Sequence, residues 1–486
     1  MKIEEATKQP EAPVMPGRFR RAFDGLRQWL RDDWHGQKYV ACGLLLLVVT
    51  LLVTICFYLD YPHVELNADT PAYLHVVDAI RERPYRLVDA WRLPGYPLLI
   101  VLVYALTGQN NLTAVGIVQA GLFVLTTLEI YVLAILIFRR AWLALIIGLL
   151  VGTNIVFLSF IKPIMSEGLA MFELTTLTLA TVCFLRRGRG LRYIALALVP
   201  LIFTRPEWLY LAPLLYVYLL LMAVRKGTVR HLFKKVLIAS VALYAMAGLY
   251  IGINGVVHHY FGMTAIENFN WAGKILQYNM WHEAPPESQH ISQQLDHLVA
   301  TIDNDPYHIL GLIPELKQDN YSPAGHFARD IILHHPVEFF VKSVPYFFAS
   351  LTSYFNISRD PHTSTFTAML GHLKSLDHRL YNMNALFPLC ALGWLLALCW
   401  KRLRAREDVA AMGLLVLLGI YGIVITTLGG YRLDDYMRVH MVFNPLLILI
   451  TWGSVLFVIS MFVRKVGAVL SSGRNPRSVG ASDGDS

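Results

Sequence analysis

The sequence predicts an all-α polytopic membrane protein, a bundle of about ten (8–12) transmembrane helices. Hydrophobic residues make up 55% of the chain and charged residues only 16%, against about 25% charged residues in soluble domains. The apolar residues collect in runs of about 20, which is long enough to cross roughly 30 Å of hydrocarbon. Most Lys and Arg lie in short clusters between these runs, so the net charge of +8 indicates membrane orientation and not a nucleic-acid partner.

The apolar runs divide the chain into five regions. We expect residues 1–37 to form a cytoplasmic arm, whose segment 17–30 has the basic amphipathic pattern of a helix lying on membrane lipids. The other regions are a transmembrane core at 38–257 with a catalytic loop at 59–111, an outer-side region at 258–381 with an interfacial helix at 337–355, C-terminal transmembrane helices at 382–463, and a disordered cytoplasmic tail at 464–486.

The basic clusters set the predicted topology. The predicted spans are 38–59, 112–137, 141–161, 167–185, 191–204, 207–224, 233–257, 382–400, 407–428 and 440–463. With both termini in the cytoplasm, every dense basic cluster falls on the cytoplasmic side. Segment 94–107 is too short to cross, so we expect it to be a second interfacial helix. All five cysteines lie inside apolar runs, which predicts no disulfide framework.

The loop after the first span carries the strongest functional signal. Asp60, Glu65 and Asp69 fall within ten residues of one another, and a stiff Pro-Gly-Tyr-Pro turn follows at 94–97. Because neighbouring carboxylates raise the pKa of one member, Asp69 is the predicted general base, with Asp60 and Glu65 as secondary acids. Alternatively, Asp69 or Thr70 caps the helix that begins near Pro71.

Further isolated charges stand at span ends on the same predicted outer side. Arg92 precedes the stiff turn and either holds an anionic substrate or extends to lipid headgroups. Glu167 begins a span, where the helix dipole favours an acid. Arg205 either binds substrate or only pairs with Glu207. Since burying charge at membrane depth is expensive, their convergence on one face indicates a site.

The sequence predicts no metal centre. Of the 17 histidines, 12 lie between His258 and His378, but no HExxH or other fixed ligand spacing occurs among them. No P-loop, dinucleotide fingerprint or nucleophile elbow is present, so the sequence shows neither these nucleotide-binding motifs nor the hydrolase elbow.

Short motifs in a fixed order resemble those of GT-C fold glycosyltransferases, in particular the bacterial branch similar to protein O-mannosyltransferases and the aminoarabinose transferase of lipid A. The motifs are Asp69-Thr70-Pro71-Ala72-Tyr73-Leu74, Arg92-Leu93-Pro94-Gly95-Tyr96-Pro97-Leu98, Ser166-Glu167-Gly168-Leu169, Thr204-Arg205-Pro206-Glu207 and Tyr436-Met437-Arg438. They cover residues 38–225 and, more loosely, the C-terminal part. The resemblance implies a GT-C-like bundle with an outer-side active-site loop that carries interfacial helices.

The resemblance also implies a sugar donor linked to polyprenyl phosphate, with Asp69 deprotonating the acceptor hydroxyl. Arg92 and Arg205 would hold the lipid phosphate and Glu167 would order the pocket. Tyr73, Tyr96 and Arg438 complete the predicted substrate-binding set. Some relatives use a divalent metal, Mg or Mn. The protein mannosyltransferases carry paired acids where this chain has Asp69-Thr70, which favours a glycan or lipid acceptor over a protein.

The predicted reaction is an inverting displacement at the anomeric carbon, on the periplasmic or extracellular face of a bacterial inner membrane. The alternative is a transporter or flippase for a lipid-linked or anionic substrate. The isolated charges cluster at one membrane face and not at the midplane, which favours the transferase. A third interpretation is a non-catalytic envelope assembly protein, in which the acids of the first loop could be freely replaced.

Overall fold

A computed structural model describes residues 34–83, 86–225, 227–352, 366–400, 402–403, 406–430 and 433–472. Every regular element in these residues is helical, so the prediction of an all-α protein is confirmed. The predicted amphipathic helix at 17–30 and most of the predicted C-terminal tail lie outside the described residues.

Nineteen α-helices follow one another in the described part of the chain. They are α1 Trp34–Asp60, α2 Thr70–Glu82, α3 Gly95–Thr107, α4 Leu112–Phe138, α5 Ala141–Gly152, α6 Ile155–Ile161, α7 Glu167–Arg187, α8 Leu191–Thr204, α9 Leu211–Arg225, α10 Val229–His258, α11 Ile266–Gln277, α12 Gln289–Thr301, α13 Pro306–Ile309, α14 Pro314–His334, α15 Pro336–Thr352, α16 Thr367–Met383, α17 Phe387–Cys399, α18 Glu407–Gly429 and α19 Leu433–Ser472. A short 3-10 helix, Pro206–Tyr210, precedes α9.

The described residues contain eight helices that are long and apolar enough to cross a membrane, which confirms the predicted range of 8–12. The predicted span 141–161 is instead a broken pair, α5 and α6, bent by 49°. The predicted span 191–204 is the 14-residue helix α8. α19 continues to Ser472, past the predicted end at 463, and the candidate span Thr367–Cys399 begins before the predicted residue 382.

The break between α5 and α6 is stabilised by side chains that replace lost helical hydrogen bonds. The Asn154 side chain accepts a hydrogen bond from the backbone N–H of Phe157 at 3.0 Å. The buried carboxylate of Asp377 accepts one from the N–H of Ile155 at 2.7 Å. A helix start inside an apolar bundle needs such partners because no bulk water reaches it.

The two ends of the bundle differ in charge. α7 has 21 residues, so it spans about 30 Å between Glu167 at one end and Arg186 and Arg187 at the other. In α19, Arg438 lies near the first end and the basic pair at 464–465 lies near the other end. Arg140 contacts Ser460 close to that basic pair. The basic clusters and the loop acids are therefore at opposite ends of these helices. Which end faces the cytoplasm stays a prediction.

Helices α11 to α15 form a second, smaller apolar cluster, in a region to which the sequence assigned no role. Its buried members include Phe269, Trp281 and Phe327. Trp91, from the loop before α3, and Leu428, near the end of α18, pack against this cluster. This packing joins the second cluster to the acidic end of the transmembrane bundle.

A close approach at Gly95 brings two predicted site residues together. A Cβ at this position would lie 2.7 Å from the backbone carbonyl oxygen of Phe203 and 2.6 Å from Oγ1 of Thr204. The start of α3 therefore packs directly on the end of α8. This contact holds Arg92, just before α3, close to Arg205, just after α8.

We predict that Gly95→Ala lowers the free energy of unfolding by about 1–3 kcal/mol, because the added methyl group forces two backbones apart. Thermal unfolding in detergent measures this. Gly121→Ala is the matched control, since no atom lies within 4 Å of its added Cβ and alanine favours a helix by about 0.5–1 kcal/mol. Equal unfolding temperatures for the two variants would show that the contact at Gly95 is not restrictive.

Candidate functional site

The ends of six helical elements meet at the acidic end of the bundle. Asp69 immediately precedes α2, and Arg92 lies in the loop before α3. Glu167 is the first residue of α7, and Arg205 links α8 to the short 3-10 helix. Arg438 lies in the second turn of α19. Residues far apart in sequence thus meet because these helices begin or end beside the same cavity.

These side chains border a cavity of about 360 Å³. Its lining combines charged groups from the transmembrane bundle with polar and aromatic groups from the second cluster. The lining residues are Asp69, Tyr73, Trp91, Arg92, Leu93, Ser166, Thr204, Arg205, Pro206, Glu207, Leu209, Tyr210, Met263, Thr264, Ile266, Glu267, Asn270, Trp271, Tyr307, Ile425, Leu428, Gly429, Gly430, Arg438 and Val439.

Ion pairs connect three arginines in and around the cavity. Asp69 forms ion pairs with Arg92 through Oδ1 at 2.5 Å and with Arg438 through Oδ2 at 2.7 Å. Oε1 of Glu167 forms ion pairs with Arg438 at 3.0 Å and with Arg205 at 3.3 Å. Arg205 also pairs with Glu207 at 2.5 Å. Arg438 is therefore shared between Asp69 and Glu167, so the pairs form one continuous network.

Glu167 occupies the least accessible position of this network. Its side chain is 0% exposed and it does not line the cavity, whereas the three arginine side chains are 12–23% exposed. Its Oε2 atom has no hydrogen-bond partner among the described residues. A buried carboxylate and its arginines stabilise one another as pairs, because removing either partner leaves an unpaired buried charge.

The arginines change the expected behaviour of Asp69. Burial raises the pKa of the Asp69 carboxyl, but the guanidinium groups of Arg438 and Arg92 outweigh burial and hold this pKa below its ordinary value. The raised pKa predicted from neighbouring acids is therefore wrong. The capping alternative is wrong for the Asp69 side chain as well, because that side chain makes no capping hydrogen bond to α2.

The two secondary acids face other partners. Asp60 is buried and accepts a hydrogen bond from Thr367 at 2.9 Å. Glu65 pairs with Lys162 at 3.3 Å. Neither acid lines the cavity. The predicted crowding of three carboxylates does not occur, because the extended loop turns their side chains in different directions.

The two predicted tyrosines form successive layers behind Arg92. The Arg92 guanidinium stacks over the ring of Tyr73 at 4.9 Å, and the Tyr73 hydroxyl donates to Oγ of Ser166 at 3.1 Å. Tyr96 is fully buried with its ring 4.9 Å from that of Tyr73, and its hydroxyl donates to Gln119. Tyr73 lines the cavity, whereas Tyr96 supports Tyr73 from behind.

Sequence reasoning missed the residues that the second cluster contributes to the cavity. Glu267, Asn270 and Trp271 come from α11, and Tyr307 comes from α13. This lining is attached to the first loop, because Thr264 Oγ1 donates to the Trp91 carbonyl at 2.8 Å. No chemical motif in the sequence marks these residues, and only the packing of the second cluster places them here.

The cavity acids do not suit a divalent metal, because among the described residues Glu267 is the single cavity acid without an arginine partner. Asp69 and Glu207 already accept from arginines, whose positive charges would repel a second cation. Among the described residues, Glu283, His335 and Glu338 have ligand atoms within 4.8 Å of one another, outside the cavity lining. Glu338 in that group is paired with Lys342 at 2.7 Å. We therefore derive no step through a metal.

No protein-family model matches this sequence, and no curated protein matches it. Among solved structures, the chain is similar to the archaeal oligosaccharyltransferase AglB from Archaeoglobus fulgidus, in complex with an inhibitory peptide and a dolichol-phosphate. The alignment covers 93% of this chain and 53% of that enzyme's chain, with 13% identity and a TM-score of 0.47. This chain thus spans about half the length of the archaeal enzyme.

We predict that Glu167→Gln lowers the free energy of unfolding by about 3 kcal/mol, because it removes the charge that Arg205 and Arg438 share in a buried site. Thermal unfolding in detergent measures the loss. Glu338→Gln serves as control, since it alters an accessible pair with Lys342 and such pairs contribute about 0–1 kcal/mol. An unchanged unfolding temperature for Glu167→Gln would show that the network does not stabilise the fold.

Proposed function

We propose that this protein is a membrane glycosyltransferase, which moves a sugar from a polyprenyl-phosphate-linked donor to a glycan or lipid acceptor on the outer face of the membrane. The observation that carries the proposal is the presence of Arg92, Arg205 and Arg438 beside one cavity at one end of the bundle. Guanidinium groups match phosphate oxygens in geometry and charge. A lipid-linked donor also explains how an enzyme without a nucleotide-binding motif obtains an activated sugar.

An apolar track leads from the cavity to the lipid-facing surface. Tyr210 lines the cavity and is 55% exposed. α9 begins directly after Tyr210 and exposes Leu214, Val217 and Leu221 at helical spacing. A polyprenyl tail on this face would remain in lipid while its phosphate reached the arginines.

The donor phosphate has to compete with Asp69 for two of the arginines. Both Asp69 oxygens are engaged, one by Arg92 and one by Arg438. An incoming phosphate that accepts from these guanidiniums releases the carboxylate. Because burial alone raises the pKa of Asp69, the released carboxylate becomes the stronger base. Donor binding would therefore prepare Asp69 for its role as general base.

The proposed transfer inverts the anomeric carbon. The acceptor hydroxyl gives its proton to Asp69 and its oxygen bonds to the anomeric carbon, while the bond from that carbon to the phosphate oxygen breaks. The leaving polyprenyl phosphate takes the bonding electrons and gains negative charge. Arg92, Arg205 and Arg438 hold that phosphate more strongly as its charge grows, which favours the transition state over the ground state.

The transporter or flippase remains the alternative. A transporter needs a path that continues past its site to the other membrane face. Between the ion-pair network and the basic end of the bundle, the described interior is filled by fully buried side chains, among them Phe157, Phe160, Leu174 and Leu447. The cavity at one end of the bundle therefore favours transfer over transport.

We predict that Asp69→Asn binds undecaprenyl phosphate roughly tenfold more tightly than wild type, because a neutral amide competes less for the two guanidiniums. Titration of the purified protein in lipid nanodiscs measures the dissociation constant. Asp60→Asn is the matched control and leaves the constant unchanged, since Asp60 does not line the cavity. Weaker binding by Asp69→Asn would show that Asp69 positions the arginines and does not compete with phosphate.

In cells that lack the protein, we expect wild type to restore a missing envelope sugar and Asp69→Asn to reduce that product by about 10²–10⁴-fold, the usual effect of losing a general base. Mass spectrometry of envelope glycans and lipids at matched expression measures it. Asp60→Asn should restore the sugar. Equal products from Asp69→Asn and wild type would refute the base assignment, and unchanged profiles in every strain would favour transport.

A further inference from the structure

The cavity has two chemically different linings. The arginine lining comes from the transmembrane bundle and comprises Arg92, Arg205 and Arg438. The second lining comes from residues 263–307, and its described members include no Lys or Arg. We call this second set the α11 wall; its members are Met263, Thr264, Ile266, Glu267, Asn270, Trp271 and Tyr307.

The acid of the α11 wall differs from the other acids of the cavity. Asp69 and Glu207 are paired with arginines, whereas no Lys or Arg of the described residues lies within 4.0 Å of the Glu267 carboxylate. Glu267 is half-buried and accepts a hydrogen bond from Nε1 of Trp271 at 3.3 Å. A carboxylate has room for several more donors, so Glu267 is available to hydroxyl groups in the cavity.

Aromatic rings stand beside this carboxylate. Trp271 and Tyr307 belong to the α11 wall, and Trp91 lines the cavity next to it. Tyr307 is 59% exposed, and its ring is stacked on Phe269 at 5.1 Å, which limits its orientations. The Phe269 ring also contacts Trp91 at 5.7 Å. The rings are therefore held in place by packing outside the cavity.

This combination suits one class of ligand. The C–H face of a sugar ring packs on an aromatic face, and its hydroxyls donate to a carboxylate and exchange hydrogen bonds with an amide such as that of Asn270. An anionic group would be repelled by Glu267, with no cation on the same lining to offset the repulsion.

We infer that the α11 wall is the acceptor subsite and that it binds a neutral sugar unit of a glycan, with Glu267 accepting a hydrogen bond from a hydroxyl of that sugar. This inference rests on the proposed glycosyltransferase function. It assigns the donor phosphate to the arginine lining and the acceptor to the α11 wall. The acceptor hydroxyl would then enter between the two linings, where Asp69 also lines the cavity.

The test separates acceptor binding from donor binding in three variants, Glu267→Gln, Asn270→Ala and Trp271→Ala. Trp271→Phe keeps an aromatic ring, and Glu287→Gln changes an exposed acid outside the cavity. Each variant is expressed in cells lacking the protein, whose envelope glycans are profiled by mass spectrometry. Each is also purified and titrated with undecaprenyl phosphate in nanodiscs, and its unfolding temperature is recorded.

We expect Trp271→Ala and Glu267→Gln to reduce the transferred sugar at least roughly tenfold, the loss of about one good interaction, while their dissociation constants for undecaprenyl phosphate stay within about twofold of wild type. Asn270→Ala should reduce the product less. Glu287→Gln should stay near wild type, and Trp271→Phe should retain more product than Trp271→Ala, because it keeps the ring but loses the Nε1 donor to Glu267. If Trp271→Ala unfolds at a lower temperature, Glu267→Gln and Asn270→Ala decide, because both preserve the apolar packing.

Three results would overturn the inference while leaving the proposed function intact. One is full product from Glu267→Gln and Trp271→Ala, and another is a transferred sugar found on a non-carbohydrate acceptor. A loss of undecaprenyl phosphate binding in Glu267→Gln would also overturn it, since the α11 wall would then serve the donor. Failure of wild type both to bind undecaprenyl phosphate and to restore any sugar would refute the proposed function itself.

Discussion

The structure of the site depends on two carboxylates that bridge arginines from separate helices. Guanidinium groups in a desolvated space repel one another unless carboxylates face them. Glu167 forms ion pairs with Arg205 and Arg438, and Asp69 forms ion pairs with Arg438 and Arg92. Because both acids share Arg438, this residue ties the start of α19 to the start of α7 and to the loop before α2. The same ion pairs therefore hold the C-terminal helix in place and set the geometry of the cavity.

The surrounding helices make that bridge possible by fixing where they begin and end. Gln119, a fully buried residue of α4, donates to the carbonyl of Pro163 at 2.9 Å and also to that of Ile161. These carbonyls lie in the turn between α6 and α7, where the helical hydrogen bonds are interrupted. Satisfying them from a buried side chain fixes the start of α7 and thus Glu167. The same Gln119 accepts from Tyr96, which connects the turn to the aromatic layers behind Arg92.

The sequence predicts the all-helical class and a range of span numbers that includes the eight observed, because the length of each apolar run reports burial in lipid directly. It also selects Arg92 and Arg205, because an isolated charge at a span end is rare enough to be noticed, and Asp69, because two other acids stand near it in the same loop. It does not predict their partners. Asp60 and Glu65 are close to Asp69 in sequence, yet they pair with Thr367 and Lys162. Glu267 lies on an amphipathic helix with other polar residues, and the contacts of Phe269 and Thr264 with Trp91 place it at the cavity.

An ion-paired cavity is well suited to a phosphate that arrives from lipid. Three arginines without partners would repel one another, and building such a site would be costly in a membrane protein. In the proposed reaction, the incoming phosphate replaces Asp69 as the anion beside these arginines, so few charges have to be newly desolvated. The anion that is displaced is also the carboxylate proposed to take the acceptor proton. In the proposed reaction, the empty enzyme therefore holds a weak base, and the loaded enzyme holds a stronger one. In this proposal the donor binds first and the acceptor second, because the donor phosphate and Asp69 compete for Arg92 and Arg438.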